Sequence, residues 1–217
     1  MKLFVWDFHG TLEKGNEKAV LEITNKILRD SGYDRQMSVD ENSTLYGKKW
    51  YEYFQYLLPK ESLDRCLDLQ RKCVEYENKH QDIVRNFIKQ NDYANVVLSK
   101  IKDAGHDQIL ITNTAKVAFM MFVQIVGISE IFPIGKKSFT TNLHQKHSTL
   151  TKRQVLENYL KGKNFNKIIV VGDRGSDVEL AGFVGGTSYL YAHPGKDFFE
   201  CLADYKIRDL RKILAEL

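Results

Sequence analysis

The chain has 217 residues, of which 43% are hydrophobic and 28% are charged, and its net charge is +4 at pH 7. This composition is typical of a globular protein, and the length allows one full domain with a smaller insertion. The weak positive charge is spread along the chain, which argues against a nucleic-acid-binding surface. No stretch approaches ~18 consecutive apolar residues, so we expect no membrane span.

The cysteine pattern predicts free thiols. Cys66, Cys73 and Cys201 are odd in number and have no CxxC spacing. Such usage is typical of a reducing compartment, so we expect a cytoplasmic protein. Cys66 and Cys73 are separated by two helical turns and are expected on one helix face as half-buried apolar residues.

The first distinctive stretch lies at the N-terminus. Residues 3–6 are apolar with β-branched and aromatic character, which predicts a strand buried on both faces. The strand ends at Asp7, and Gly10 and Thr11 follow, with a glycine for a tight turn and a hydroxyl to orient nearby groups. A carboxylate at the carboxyl end of a buried parallel strand lies where open α/β sheets bind ligands. The same carboxylate could instead cap a helix.

Residues 15–91 show helical periodicity and no strand signal, whereas residues 33–43 within them are polar and are expected to form a loop. The pattern predicts a small all-helical domain inserted after the first strand. Four helices are expected: one from an Asn16 N-cap to a stop at Gly32, one over 45–58, one after a Ser62 cap, and one around 83–88. The aromatic and basic stretch 45–54 could face a substrate or simply pack helix against helix.

The remainder of the chain alternates between helical and strand patterns. Further strands are expected at 108–111, 167–171 and 188–191, with helices around 96–101, 117–123, 152–160, after 173 and around 210–214, and a polar segment at 135–148. Alternation of this kind predicts a doubly wound parallel sheet. The predicted architecture is therefore α/β. Residues 1–14 and 92–217 form the core domain, and residues 15–91 form the helical one.

Three of the predicted strands end in polar residues. These are Asp7, then Thr112 with Asn113, then Asp173 with Asp177. The carboxyl ends of parallel strands share one edge of the sheet, so residues far apart in the sequence should converge there. Helix capping could explain a polar residue at any one of these strand ends, but it explains polar residues at all three less well. The pattern therefore predicts a ligand site at this edge.

The first two strand ends resemble motifs of the haloacid dehalogenase-like (HAD) superfamily. Asp7, Gly10 and Thr11 match its first motif, a hydrophobic strand followed by D-x-D-G-T, in which the first aspartate is the nucleophile. Thr112 and Asn113 resemble the second motif, whose hydroxyl and following backbone N–H hold a phosphate oxygen. An ordinary strand-to-helix turn would explain Thr112 equally well. Gly10 and Thr11 are expected to bind the substrate phosphate as well.

The third strand end resembles the fourth motif of the same superfamily, which supplies acids for magnesium. Mg²⁺ prefers oxygen ligands and usually takes one or two carboxylates from a protein. The resemblance implies that Asp7, Asp173 and the backbone carbonyl of His9 bind Mg²⁺, with Asp177 as a direct or indirect ligand. Asp177 could also cap the helix that follows, or do both.

The third motif is a lysine that offsets negative charge beside the nucleophile. Lys152 is the preferred candidate because it opens the helix before the fourth-motif strand, and Lys146 is the alternative. The helical insertion resembles the family's C1-type cap. With all four motifs in the family's order, the fold implied is a HAD-like Rossmannoid core with a helical cap.

The resemblance implies a Mg²⁺-dependent phosphatase that acts through an aspartyl-phosphate on Asp7. His9 stands where the family has a second acid, and imidazole can donate and accept protons at neutral pH. We therefore predict that His9 is the general acid/base. The alternative is a weakly active or inactive phosphate-binding regulatory protein.

The expected partner is a small phosphorylated metabolite such as a sugar phosphate, phosphoglycolate or a nucleotide. No nucleic-acid or membrane partner is expected. Nothing in the sequence predicts an oligomeric state.

Overall fold

A computed structural model describes residues 1–141 and 150–217 of the chain. Within this part the chain divides into two compact units, Met1–Lys14 with Lys89–Leu217, and Gly15–Ile88. The first unit contains the strands and the second is helical. The predicted architecture of a parallel sheet with an inserted helical domain is confirmed.

The secondary structure alternates as the sequence indicates. The strands are β1 (Lys2–Trp6), β2 (Glu13–Lys14), β3 (Lys89–Gln90), β4 (Asp107–Thr112), β5 (Ser138–Thr140), β6 (Lys167–Gly172), β7 (Thr187–Tyr191) and β8 (Tyr205–Ile207). The helices are α1 (Asn16–Asp30), α2 (Val39–Leu45), α3 (Trp50–Leu57), α4 (Leu63–Lys79), α5 (Gln81–Phe87), α6 (Ala94–Asp103), α7 (Lys116–Val126), α8 (Lys152–Leu160) and α9 (Gly175–Phe183). A 3₁₀ helix (Leu210–Glu216) follows β8, where an amphipathic helix was expected.

The main sheet places β1 at its centre. Among the described residues six strands pair in the order β5-β4-β1-β6-β7-β8, all parallel. Val5 of β1 pairs with Ile109 of β4 on one side and with Val170 of β6 on the other. Chain order therefore reverses direction around β1, which places a ligand-binding crevice at the carboxyl ends of β1, β4 and β6.

Both faces of β1 are buried, as predicted for a central parallel strand. Leu3 and Val5 pack with Leu156 of α8 and Leu180 of α9 in one hydrophobic cluster. Trp6, which is fully buried, donates its Nε1 hydrogen to Oε1 of Gln108 over 3.1 Å. The strand that carries Asp7 is thus fixed on both faces before the chain enters the site.

A short antiparallel ribbon, β2 with β3, lies apart from the main sheet. Residues 89–91 were predicted in the helical insertion, but they belong to the first unit because Lys89 and Gln90 pair with Lys14 and Glu13. Two-residue strands are too short to produce a periodic pattern in a sequence. The three-residue edge strand β5 escaped prediction for the same reason.

The second predicted helix, over 45–58, corresponds to α3 alone, and α2 precedes it, beginning inside the predicted loop. The loop predicted at 33–43 is wrong from residue 39 onward, because Ser38 and Glu41 form a capping box that starts α2. Oγ of Ser38 accepts from the Glu41 N–H over 3.2 Å, and the Glu41 carboxylate accepts from the Ser38 N–H over 2.9 Å. Gly47, at φ +92°, lies in the break before α3.

The predicted N-cap of α1 is one residue out of place. Gly15, at φ +101°, is the N-cap, and Asn16 is the first helical residue. A Cβ at Gly15 would collide with the carbonyl oxygen of Phe87, so only glycine fits there. The Asn16 side chain donates instead to the hydroxyl of Tyr46 over 3.2 Å.

The aromatic stretch of the insertion packs inside the helical unit. Trp50, Tyr53 and Phe54 are buried with Cys66 and Cys73 in one cluster. The sequence allowed this stretch either to face a substrate or to pack helix against helix. Helix packing accounts for these three rings. Both cysteines are fully buried rather than half-buried. No helix in the described ranges has the length and apolar character needed to cross a bilayer.

Candidate active site

Three carboxylates meet at the carboxyl ends of β1 and β6. Asp7 follows β1, Asp173 follows the neighbouring β6, and Asp177 lies in the first turn of α9. Their nearest ligand oxygens all lie within 4.8 Å of one another. Asp7 is 9% exposed and Asp177 is 3% exposed. The convergence predicted from three strand ends is therefore present for the two that carry acids.

Lys152, the first residue of α8, reaches into this cluster. Its Nζ donates to Oδ1 of Asp7 over 2.6 Å and to Oδ1 of Asp177 over 2.8 Å. Burial opposes the ammonium charge, but Asp177 and Asp7 outweigh it and hold the pKa of Lys152 above its usual range. The amine is therefore charged at neutral pH. The alternative candidate, Lys146, lies outside the described residues.

The start of α8 is fixed locally by a capping box. Thr151 Oγ1 accepts from the Gln154 N–H over 3.2 Å, and the Gln154 side chain accepts from the Thr151 N–H over 2.8 Å. A lysine in the first helical turn is electrostatically unfavourable by itself. The Asp7 and Asp177 carboxylates compensate for this, so Lys152 is placed for the site rather than for the helix.

The cluster has an excess of negative charge. Burial raises the pKa of Asp173, and the carboxylate of Asp7 raises it further. Burial also raises the pKa of Asp177, where Asp7 acts in the same direction and Lys152 opposes it. The guanidinium of Arg174 lies 3.4 Å from Oδ2 of Asp173 and opposes the rise there. A bound cation would relieve what remains of the repulsion.

Two glycines allow the backbone to approach these acids. Gly10 has φ +74°, and a Cβ there would lie 2.5 Å from Oδ2 of Asp173. A Cβ at Gly172 would overlap the carboxylate of Asp177. No other residue fits at either position without moving an acid, which gives a packing reason for the glycines in the first and fourth motifs.

Asp177 has the helix-capping role that the sequence left open. Its Oδ2 accepts from the backbone N–H of Arg174 over 3.3 Å, at the N-terminus of α9. Its other oxygen remains on Lys152. The carboxylate is thereby fixed in orientation at both oxygens. Direct metal ligation by Asp177 stays a prediction.

His9 lies in the loop after β1 and is held by a buried acid. Its Nδ1 donates to Oε1 of Glu13 over 2.8 Å, and the same oxygen accepts from the Gly10 N–H over 3.2 Å. The imidazole packs edge-on against the rings of Phe8 and Phe122, with centroid distances of 5.0 and 5.3 Å. The hydrogen bond to Glu13 and these aromatic contacts help to set the orientation of the ring.

Glu13 was not among the predicted site residues. Its side chain is fully buried, and the only sequence signal for it is an acid four residues after His9. That spacing is informative on a helix, whereas these residues lie in a loop and a two-residue strand. The pairing could not be predicted without the fold of the loop.

The remaining predicted site residues lie at two neighbouring strand ends. Oγ1 of Thr112 is 2.9 Å from Oγ1 of Thr114, and Oδ1 of Asn113 accepts from Oγ1 of Thr141 over 2.9 Å. Thr11 is buried, and its hydroxyl has no hydrogen-bond partner among the described residues. Phosphate binding by Thr112, Asn113, Gly10 and Thr11 stays a prediction, as does metal binding by the His9 carbonyl.

Most of the chain matches the sequence profile of one family. Residues 4–188 match the profile described as haloacid dehalogenase-like hydrolase. The chain belongs to the haloacid dehalogenase-like hydrolase family. The match spans both units and includes every motif residue singled out above, from Asp7 to Asp177. No curated protein sequence matches the chain.

Solved structures support the HAD-like fold along the full chain. A candidate phosphoglycolate phosphatase from Haemophilus somnus aligns with a TM-score of 0.77 at 16% identity, covering 99% of this chain and 96% of that one. A candidate β-phosphoglucomutase from Thermotoga maritima aligns at 0.72 and 17% identity over 100% of both chains. A HAD family hydrolase from Deinococcus radiodurans, with bound phosphate and sodium, aligns at 0.70 and 13% identity over 99% and 95%. At these identities the likeness shows the fold alone.

Proposed function

We propose that this HAD-like hydrolase is a Mg²⁺-dependent phosphatase of small phosphomonoesters that forms an aspartyl-phosphate on Asp7. The observation that carries the proposal is the placement of Lys152. Its charged amine binds one oxygen of Asp7 while holding Asp177, beside Asp173. A carboxylate held in this way, at the ligand-binding edge of the sheet, is suited to nucleophilic attack on a phosphorus atom.

The acids of the site fit a divalent cation. Three carboxylates with oxygens within 4.8 Å supply the hard oxygen ligands that Mg²⁺ prefers. Burial and, in addition, the carboxylate of Asp7 raise the pKa values of Asp173 and Asp177, and a bound cation would favour their charged forms. We propose that Asp7, Asp173 and the carbonyl of His9 hold the ion, with Asp177 beside them. When bound, Mg²⁺ would neutralise charge on the phosphoryl oxygens.

In the first step, an oxygen of Asp7 forms a bond to phosphorus in line with the leaving oxygen. The bond between phosphorus and the substrate's bridging oxygen breaks, and that oxygen takes a proton from the His9 imidazolium. Lys152 stays charged beside Asp7 and stabilises the negative charge that develops on the phosphoryl group. The products are an alcohol and the aspartyl-phosphate.

In the second step, water attacks the phosphorus of the aspartyl-phosphate and gives its proton to His9. The bond between phosphorus and Asp7 breaks, which releases inorganic phosphate and restores the carboxylate. His9 is again an imidazolium, ready for the next turnover. Proton transfer of this kind contributes roughly 10²–10⁴-fold to a rate.

The relatives by fold are compatible with this activity. The Deinococcus radiodurans structure holds phosphate and a cation, and two neighbours are named for reactions of phosphorylated small molecules. We propose that the inserted helical unit is a C1-type cap and that the substrate is a small phosphorylated metabolite. We also propose a reducing, cytoplasmic location, since Cys66, Cys73 and Cys201 are free thiols.

The test is steady-state phosphate release from a panel of sugar phosphates, phosphoglycolate and nucleotides, with Mg²⁺ or with EDTA. We expect at least one substrate to be turned over with Mg²⁺ and none with EDTA. Asp7→Asn should abolish the release while keeping the fold by circular dichroism. Phosphate binding by calorimetry without turnover of any panel member would instead support a regulatory protein that retains only the anion site.

A further inference from the structure

We infer that Glu13 is a positioning residue for His9: its buried carboxylate fixes the proton on Nδ1, so that Nε2 is the nitrogen that exchanges protons with the substrate. The assignment of a task to Nε2 rests on the proposed function. The assignment of the Nδ1 proton rests on the contacts of Glu13 alone. The two parts can therefore fail separately.

The first observation is that Glu13 is fully buried yet incompletely bonded. Oε1 accepts from His9 and from the Gly10 N–H, whereas Oε2 has no hydrogen-bond partner among the described residues. A buried carboxylate with an unsatisfied oxygen is unfavourable for stability. A leucine at this position would avoid that unfavourable term, so β2 pairing does not explain why an acid is present.

A second buried glutamate in the same unit has hydrogen-bond partners for both of its carboxylate oxygens. Glu216 binds the Lys167 amine through both oxygens, at 2.9 and 2.7 Å, and accepts from the Tyr189 hydroxyl over 2.8 Å. Its partners are a cation and a phenol outside the site. Glu13 has a histidine beside the proposed nucleophile instead. The two glutamates therefore form a matched pair, one for stability and one for the site.

The second observation concerns the chemistry of the imidazole. A carboxylate only accepts hydrogen bonds, so a contact of 2.8 Å to Nδ1 requires the hydrogen to be on Nδ1. In the neutral ring Nε2 then has the lone pair. One buried group thus selects which of the two ring nitrogens is the proton acceptor in the proposed mechanism.

The third observation is that the loop joining the two residues is fixed. Asn91 donates its Nδ2 hydrogen to the carbonyl of Thr11 over 2.9 Å, and its backbone N–H donates to the carbonyl of Leu12 over 3.0 Å. The Asn91 side-chain oxygen accepts from the Tyr191 hydroxyl over 3.1 Å. The end of β7 therefore supports the backbone from which Glu13 projects, so its carboxylate is held in place before substrate binds.

The direct test is the protonation state of His9 by nitrogen NMR of the full chain labelled at histidine. We expect the wild-type neutral ring to carry its proton on Nδ1, and Glu13→Leu to convert the ring to a mixture or to the Nε2 form. A wild-type ring protonated on Nε2 would overturn the inference. This measurement needs no substrate, so its outcome stands even if the chain proves not to be a phosphatase.

The kinetic test separates positioning from stability. With the best substrate of the panel, Glu13→Leu should lower kcat on the order of 10–100-fold with KM changed less than about twofold. Glu13→Gln keeps an oxygen acceptor and should recover part of that loss. The control Glu216→Gln should leave kcat unchanged. In a His9→Asn background, Glu13→Leu should have no further effect.

Two kinetic outcomes would contradict the role. An equal fall in kcat for Glu13→Leu with and without His9 would show that Glu13 acts through the fold rather than through the imidazole. Equal losses for the Glu13 variants and for Glu216→Gln would show the same. If Glu13→Leu does not fold, Glu13→Gln and the wild-type NMR measurement still decide the inference.

Discussion

The two ends of the central sheet differ in how far other side chains neutralise their carboxylates. At the amino ends, Asp107 is paired with Lys137 and accepts from the Tyr159 hydroxyl over 2.5 Å. The hydrogen bonds from Lys137 and Tyr159 outweigh burial and hold the pKa of Asp107 below its usual value. At the carboxyl ends, burial and Asp7 raise the pKa of Asp173 instead. The carboxylate at the amino end is neutralised by protein side chains, whereas the carboxylates at the carboxyl end are neutralised only in part.

This difference separates ion pairs that stabilise the fold from charges that we propose to serve a reaction. A balanced pair gains from both partners, whereas three buried carboxylates beside one ammonium and one guanidinium are unfavourable for the folded state. Such an arrangement persists when a cation, a substrate or both complete it. The carboxyl end is therefore where substitutions should change activity, and the amino end is where they should change stability.

The largest contrast should come from the same substitution at the two ends. Asp7→Asn should lower kcat on the order of 10⁴-fold or more, because the amide cannot act as the nucleophile. Asp107→Asn is the matched control and should leave kcat within about twofold. Phosphate release under identical conditions measures both. Comparable activity of the two variants would show that Asp7 does not attack phosphorus.

The lysines should show the next largest contrast. Lys152→Met removes the cation held between Asp7 and Asp177, so we expect kcat/KM to fall about 10²–10³-fold. Lys137→Met, at the amino end, should reduce thermal stability and leave kcat/KM unchanged. The two variants are compared by substrate-dependent phosphate release and by thermal unfolding. A loss of activity in Lys137→Met alone would reverse the assignment of the two ends.

Binding of a divalent cation at the carboxyl end of the sheet should stabilise the folded protein. With Mg²⁺ at about 100 times its dissociation constant, the free energy of unfolding should rise by roughly 2.7 kcal/mol, and EDTA should reverse this. Asp173→Asn should remove the increase, whereas Asp107→Asn should keep it. Thermal unfolding monitored by calorimetry measures each case. An equal increase in the Asp173 variant would place the ion elsewhere.

The smallest expected effect is a pH dependence of the free energy of unfolding, which comes from Asp107 at the amino end of the sheet. Because the folded-state pKa of Asp107 is lowered, its stabilising contribution is present above the unfolded-state pKa of about 3.9 and is lost as the pH falls through the folded-state pKa. Asp107→Asn should therefore cost about 1 kcal/mol at pH 7 and less as the pH falls below about 4. Urea unfolding at several pH values measures this. A difference that grows on acidification would contradict the pairing.

The sequence was most informative where a strong pattern ends at a polar residue. The strand ending at Asp7 and the helix from Lys152 to Leu160 were predicted from apolar periodicity and from the family's motif order. Burial on both faces of β1 and the convergence at the sheet edge follow from the parallel topology. Regular strands and helices produce a periodic pattern of apolar residues, and such a pattern can be recognised in the sequence.

The features that escaped prediction depend on single contacts. The capping box of Ser38 and Glu41 starts α2 within a polar segment, and the three-residue β5 has no room for periodicity. The contact between Glu13 and His9 forms through a loop conformation rather than a regular element. The capping box is a local signal that the polar composition of its segment obscured, whereas β5 and the contact of Glu13 with His9 required the tertiary structure.

The central claim is that Asp7 becomes phosphorylated. The most direct measurement is borohydride trapping during turnover of the best substrate with Mg²⁺, followed by peptide mass spectrometry. His9→Asn is the variant to use, since its second step should be slow and the aspartyl-phosphate should accumulate. The account predicts reduction of residue 7 to homoserine. Continued phosphate release with residue 7 unmodified, and with a different acid reduced or none, would contradict it.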